Sequence, residues 1–207
     1  MNTDKQSRIS YYVINGITMY RLVSAPFLLL LAIKGESDWF KWLIAFSFLT
    51  DAIDGPLSRK FEVTSVFGAR LDSVADDATV LVSTLGLWIM HREFIYSHWI
   101  VIAGLFALFG IQTIAALIAY RKVTSFHTYL AKTAAVVQAI FFLLMFFAWP
   151  FSTAAFYIAC AVTGIQLVEE IILVIILPEW KANVKGLYWV WRPQRKPVNK
   201  AQEGSNR

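Results

Sequence analysis

Residues 50–80 read TDAIDGPLSRKFEVTSVFGARLDSVADDATV, and they set six acids, Asp51, Asp54, Glu62, Asp72, Asp76 and Asp77, between two apolar runs. Upstream lies WFKWLIAFSFL and downstream ATVLVSTLGLWIM. Apolar runs of this kind on either side of a short polar turn describe two antiparallel membrane helices with acids at their joined ends.

The rest of the chain extends that reading. It has 207 residues, 57% of them hydrophobic and only 16% charged, with a mean hydropathy of +0.55, too apolar for an ordinary soluble domain. Six stretches are long enough to cross a hydrocarbon core of roughly 30 Å. They run from Val13 to Ile33, Trp39 to Leu57, Leu71 to Met90, Trp99 to Tyr120, Thr128 to Trp149 and Ala154 to Leu177. With short connections such as KGESD, HREFIYS and PFS, the expectation is an all-α polytopic membrane protein of six transmembrane helices, a single membrane domain over 1–207. The first run follows a polar start and lacks a small-residue cleavage site, which reads as a retained helix and not a signal peptide. Residues 1–12 read as a short interfacial lead-in helix, and 192–207 as a flexible basic tail.

Lys and Arg placement orients the helices. Fifteen of the nineteen fall on one side, three on the other, and Arg21 lies within the first span. The positive-inside rule then puts both termini and the acidic turn in the cytoplasm. The net charge of +5 collects at that face, where it favours anionic headgroups and phosphorylated substrates. No basic and aromatic surface separates from the spans, so no nucleic-acid partner is expected. Cys160 is the single cysteine, which excludes an internal disulfide, and its reading is inert packing. His91, His98 and His127 lack ligand spacing, and no Walker loop, HExxH pair or tandem repeat is present.

Counted from the helix ends at 1.5 Å per residue, Asp54 lies roughly 5 Å deep and Asp51 and Asp76 roughly 10 Å, with Asp72 shallower. A carboxylate in lipid costs several kcal/mol, so the group requires partners, water or cations. Asp51 and Asp54 are three apart and Asp72 and Asp76 four apart, so each pair shares a helix face. Across a tight hairpin the pairs converge into an oxygen-rich cluster of the type hard divalent cations prefer. A plainer reading has the acids neutralising Arg59 and Arg70, but it leaves Gly55 and Gly68 unexplained. Those glycines would let backbone approach a ligand, and Arg59 can fork two hydrogen bonds to phosphate. Arg21, at the depth of Glu169 and Glu170, is expected to form an ion pair with one of them. Asp77 points about 100° away from Asp76 and reads as an outer or solvated residue.

These residues resemble the signature of the CDP-alcohol phosphotransferase family, D-x2-D-G-x2-A-R-x8-G-x3-D-x3-D. Asp51, Asp54, Gly55, Arg59, Gly68, Asp72 and Asp76 stand at every required spacing, and Ser58 replaces the family's Ala. The start NGITMYR, with Asn15, Thr18 and Arg21, is similar to the family's first-helix pattern. The resemblance implies an enzyme that transfers a phosphatidyl group from CDP-diacylglycerol to a small or lipid alcohol acceptor and releases CMP. It implies Mg²⁺ or Mn²⁺ held by Asp51, Asp54, Asp72 and Asp76, with Asp76 also the catalytic base. Gly55, Ser58, Arg59 and Gly68 would seat the CDP group, Arg121 and Lys132 would be candidates for a phosphate on the acceptor, and the chain would pair as a homodimer in a bacterial inner membrane.

Glycerol 3-phosphate is the first choice of acceptor, since a compact chain of this length resembles bacterial phosphatidylglycerophosphate synthases. Those carry LDPxADK where this chain has LDSVADD, with Ser73 and Asp77. Serine, an inositol phosphate, or phosphatidylglycerol as in a cardiolipin synthase therefore stay open. A cation-coupled transporter using intramembrane acids is the rival of another class, and a purely structural membrane subunit is the third.

Overall fold

The computed structural model describes residues 2–61, 66–121, 126, 128–148, 153–179 and 184–191, and within these the side chains of all but 2–15, 54–60, 66, 67, 69 and 70. The tail 192–207 lies outside the described residues, as do Glu62 and His127. Among the described residues the fold is all-helical: α1 (Asn2–Lys34), α2 (Ser37–Lys60), α3 (Val66–Met90), α4 (Arg92–Tyr120), α5 (Tyr129–Phe147), α6 (Thr153–Ile176) and a short α7 (Leu187–Trp191). Five of them, α1 and α3 to α6, include stretches long and apolar enough to cross a membrane. The 24 residues of α2 would reach about 36 Å, which is also spanning length. The protein is an integral membrane protein.

Two sequence expectations change in detail. The lead-in is helical from Asn2 and continues into the first span without a break, so it is no separate element. At 33 residues, α1 is about 50 Å long, roughly 20 Å more than the hydrocarbon core requires. The heptapeptide HREFIYS is not a loop either: only His91 separates α3 from α4. The His91 carbonyl accepts from the N–H groups of Phe94 and Ile95, which starts the new helix at once. A sharp reversal also joins α1 to α2. Gly35 at φ +77° donates to the Ala32 carbonyl, and Glu36 donates to Leu31, a Schellman ending that only a left-handed residue permits cheaply. Thr128 caps α5 by accepting from the Ala131 N–H at 3.0 Å.

Packing divides the bundle. In the first half, α1 packs against α2 and α3 around Ala25, Leu28, Ala32, Phe40, Ile44 and Val82. In the second, α6 packs against α4 and α5. Leu87, Phe94, Phe141, Phe142, Met145 and Phe156 fill the end near the α3–α4 reversal, and Ala116, Phe126, Leu173, Val174 and Val184 fill the opposite end. The outer surface is apolar, with Ile100, Ile118 and Ile175 each more than two-thirds exposed, as lipid contact requires.

At Gly86, α3 lies close against Phe40 of α2. A Cβ there would stand 2.3 Å from Cζ of Phe40, a ring that is fully buried. Gly86→Ala is therefore expected to lower stability by about 1–3 kcal/mol through overpacking. Thermal unfolding in detergent checks this; an unchanged midpoint would show that the ring can yield.

Candidate active site

Three helices bring four charged side chains to one point. Asp72 and Asp76 stand one turn apart on α3, with Gly68 a further turn back on the same face. Asp51 comes from the second half of α2, and α1 contributes Arg21. One guanidinium nitrogen of Arg21 donates to Asp51 Oδ1 at 2.6 Å and to Asp72 Oδ1 at 3.4 Å, and the other donates to Asp76 Oδ1. One oxygen from each of Asp51, Asp72 and Asp76 lies within 4.8 Å of the other two.

Small residues make this convergence possible. Ser24 and Ala25 on α1, and Ala75, Thr79 and Ser83 on α3, are all buried and let the two backbones approach. Their hydroxyls are satisfied within their own helices: Ser24 donates to the Arg21 carbonyl at 2.9 Å, Thr79 to Ala75 at 2.7 Å and Ser83 to Thr79 at 2.7 Å. Ser47, one turn before Asp51, is also buried, and its hydroxyl has no hydrogen-bond partner among the described residues.

Exposure gives the cluster a direction. The Arg21 side chain is 1% exposed while those of Asp51, Asp72 and Asp76 are 30%, 29% and 42% exposed. The guanidinium is the floor of a cup, and the carboxylates are its open wall. Among the described residues, one positive charge faces three negative ones at this point. The ion pair expected between Arg21 and Glu169 or Glu170 is thus corrected: Arg21 is taken up by the aspartates. Glu169 Oε1 instead accepts from the Leu187 N–H at 3.0 Å, and Glu170 is buried on α6.

The other candidate residues are placed as follows. Asp54, Gly55, Ser58 and Arg59 lie in the last turns of α2, and their side chains lie outside those described. Gly68 is half-buried in the first turn of α3 and Asp77 is exposed. Arg121 is exposed at the end of α4, in the left-handed conformation at φ 53°. Lys132 is exposed and sits over the Tyr129 ring at 5.6 Å. Among the described residues no hydrogen bond or ion pair joins either cation to the aspartates.

The family model for CDP-alcohol phosphatidyltransferase matches residues 11–165, three-quarters of the chain and the whole of the cup. The chain belongs to the CDP-alcohol phosphatidyltransferase family. Within curated members, it is similar to a CDP-diacylglycerol–glycerol-3-phosphate 3-phosphatidyltransferase from Wigglesworthia glossinidia brevipalpis, 37% identical over 92 residues, which are 43% of this chain and 48% of that one. The enzyme of the same name from Haemophilus influenzae is 37% identical over 93 residues, 43% of this chain and 48% of its own. A CDP-diacylglycerol–inositol 3-phosphatidyltransferase from Saccharomyces cerevisiae is 37% identical over 79 residues, 38% and 34% of the two chains. The matched region spans half or less of these relatives. No solved structure matches.

The cup brings Asp51, Asp72 and Asp76 together, and the residue that sequence reasoning misplaced is Arg21. The signal that could have placed it was the N-x2-T-x2-R spacing of Asn15, Thr18 and Arg21 in the first helix.

Proposed function

We propose that this protein transfers the phosphatidyl group of CDP-diacylglycerol to glycerol 3-phosphate and releases CMP, in a site at the cytoplasmic boundary of a bacterial inner membrane. Family membership supports the reaction, and the names of relatives matched over less than half of their length support the acceptor. The single observation that carries the chemistry is the excess of carboxylate over guanidinium in the cup.

That excess fits a divalent cation. Three hard oxygen donors within 4.8 Å of one another, facing one guanidinium among the described residues, suit Mg²⁺ or Mn²⁺, and Asp51, Asp72 and Asp76 would hold it together with Asp54. Such an ion, when bound, supplies charge neutralisation for the diphosphate. The protein's own groups do the rest. Asp76, the most open of the three, takes the proton of the acceptor hydroxyl as its oxygen bonds to the phosphatidyl phosphorus; the bond from that phosphorus to the CMP oxygen breaks, and CMP leaves. Gly55, Ser58, Arg59 and Gly68 seat the CDP group, with Arg59 on phosphate. Arg121 and Lys132 remain the proposed contacts to the acceptor's phosphate, from the ends of α4 and α5. The functional unit is proposed to be a homodimer.

A transporter is not favoured, because the acids gather at one end of the bundle with the family's signature and not near mid-membrane. The test is release of labelled CMP from CDP-diacylglycerol by purified protein, over a panel of glycerol 3-phosphate, phosphatidylglycerol, serine and inositol phosphate. Turnover with glycerol 3-phosphate is expected to fall at least about 100-fold on chelation and return with Mg²⁺ or Mn²⁺. No CMP release with any acceptor and either metal would sink the reading, and preference for another acceptor would replace glycerol 3-phosphate alone.

A further inference from the structure

A hydrogen bond in the other half of the bundle stands level with the cup. Gln138 Nε2 on α5 donates to Thr163 Oγ1 on α6 at 2.7 Å, and both residues are half-buried. Their height follows from one apolar cluster. Phe142 and Ala159 are buried in it, and Phe48 and Val80 pack against it; the Phe48 and Phe142 rings stack at 6.1 Å. About one helical turn on from each of these, toward the end of the bundle where α2 ends and α3 begins, come Asp51 after Phe48, Asp76 before Val80, Gln138 before Phe142 and Thr163 after Ala159. A polar layer therefore lies on the cluster. Acids from α2 and α3 form one side of it, and the Gln138–Thr163 pair from α5 and α6 forms the other.

A carboxamide has two donor hydrogens and an oxygen with two acceptor sites. Thr163 takes one hydrogen, and among the described residues nothing donates to Gln138 Oε1. A tether between two membrane helices needs no particular height, whereas this one lies in the layer of Asp51 and Asp76. Access is open as well. On the face of α5 that carries Gln138, the next residues toward the mouth of the cup are Ala135 and Ala131, of which Ala135 is exposed and Ala131 half-buried. Two methyl groups stand where the same face, farther into the bundle, carries the rings of Phe142 and Phe146, and they leave room for a small molecule beside the acids.

We propose that Gln138 is a specificity-determining residue of the acceptor site: its carboxamide oxygen accepts a hydrogen bond from a hydroxyl of the acceptor that does not react, and Thr163 is the positioning residue that holds the carboxamide. This role rests on the transfer reaction proposed above. The wall opposite the acids is neutral, which suits a neutral hydroxyl, while the charged side of the layer is left to phosphate and cation. In glycerol 3-phosphate the attacking group is the primary hydroxyl, which gives up its proton at Asp76. The secondary hydroxyl on the adjacent carbon is the one left for Gln138.

The test measures CMP release from CDP-diacylglycerol by purified full-length protein with two acceptors, glycerol 3-phosphate and 3-hydroxypropyl phosphate. The second keeps the primary hydroxyl and the phosphate and lacks the secondary hydroxyl. The parent is expected to favour glycerol 3-phosphate by about tenfold in kcat/KM, the effect of one hydrogen bond made in a site that excludes water. Gln138→Leu should erase that preference, lowering kcat/KM about tenfold with glycerol 3-phosphate and by less than about threefold with the other acceptor, while the KM for CDP-diacylglycerol stays within about twofold. Thr163→Val should narrow the preference in the same direction and by less, and Gln138→Met gives the same readout where Leu disturbs folding. Equal losses with the two acceptors, or a preference unchanged in the Gln138 variants, overturn the assignment and reduce the pair to a tether between α5 and α6. A parent that releases no CMP with either acceptor overturns the transfer to glycerol 3-phosphate and the role of Gln138 with it, so the parent's own activity tells the two failures apart.

Discussion

Asp76→Asn is expected to leave the protein inserted and folded while lowering kcat by about 100- to 10,000-fold, the range general bases contribute. Asn keeps the size of the side chain and an oxygen that can still accept from Arg21, so the bridge between α1 and α3 survives in part. What it loses is the negative charge and the ability to take a proton. The KM for CDP-diacylglycerol should change far less than kcat if proton removal is the main deficit. Asp77→Asn is the control: Asp77 is exposed and one residue away, outside the three-oxygen group, so turnover should stay within a few-fold of the parent. Steady-state kinetics with labelled CDP-diacylglycerol, alongside thermal unfolding of both variants, reads all of this. Near-normal turnover in Asp76→Asn would remove the base assignment, whereas loss of both turnover and thermal stability would assign Asp76 to structure.

What the sequence discloses here follows from what each signal measures. Apolar length marks a helix that must lie in lipid, and all six long helices were legible in that way. Spacing by three and four marks a shared face, so Asp72 and Asp76 were legible as one unit, and a hairpin of two helices was enough to bring Asp51 to them. Arg21 was not legible in the same way. Counting along a helix gives height in the membrane, and Arg21, Glu169 and Glu170 stand at similar heights. It gives no azimuth, and pairing depends on which helices pack together. Here α1 packs on α3 while α6 packs on α4 and α5, so the height argument chose the wrong partners. The start of α4 was lost for another reason: HREFIYS is polar enough to look like a loop, yet one residue, His91, suffices to close α3 and open α4. The close approach of Gly186 to Glu169 links positions seventeen residues apart through a turn that no periodicity reports.

Arg21→Leu is expected to be the most destabilising single change in the protein. Leu removes the floor of the cup without removing the wall, so Asp51, Asp72 and Asp76 are left facing one another with no positive charge among the described residues to offset them. Breaking a buried charge pair by deleting one partner costs about 3–5 kcal/mol, and here one guanidinium serves three carboxylates. Low yield and an early unfolding transition in detergent are the expected results. The same arrangement predicts a specific rescue. A doubly charged cation can replace the missing charge at the carboxylates, so millimolar Mn²⁺ should raise the unfolding temperature of Arg21→Leu by more than it raises that of the parent, because binding to the folded state alone stabilises it by mass action. Arg21→Lys, which keeps the charge but not the planar fork, should fall between the two. A destabilised Arg21→Leu that Mn²⁺ does not rescue would mean that the aspartates no longer converge without the guanidinium, making Arg21 the organiser of the cup. An Arg21→Leu protein as stable as the parent would show that the three carboxylates never needed it, and would remove the charge imbalance on which the divalent-cation reading rests.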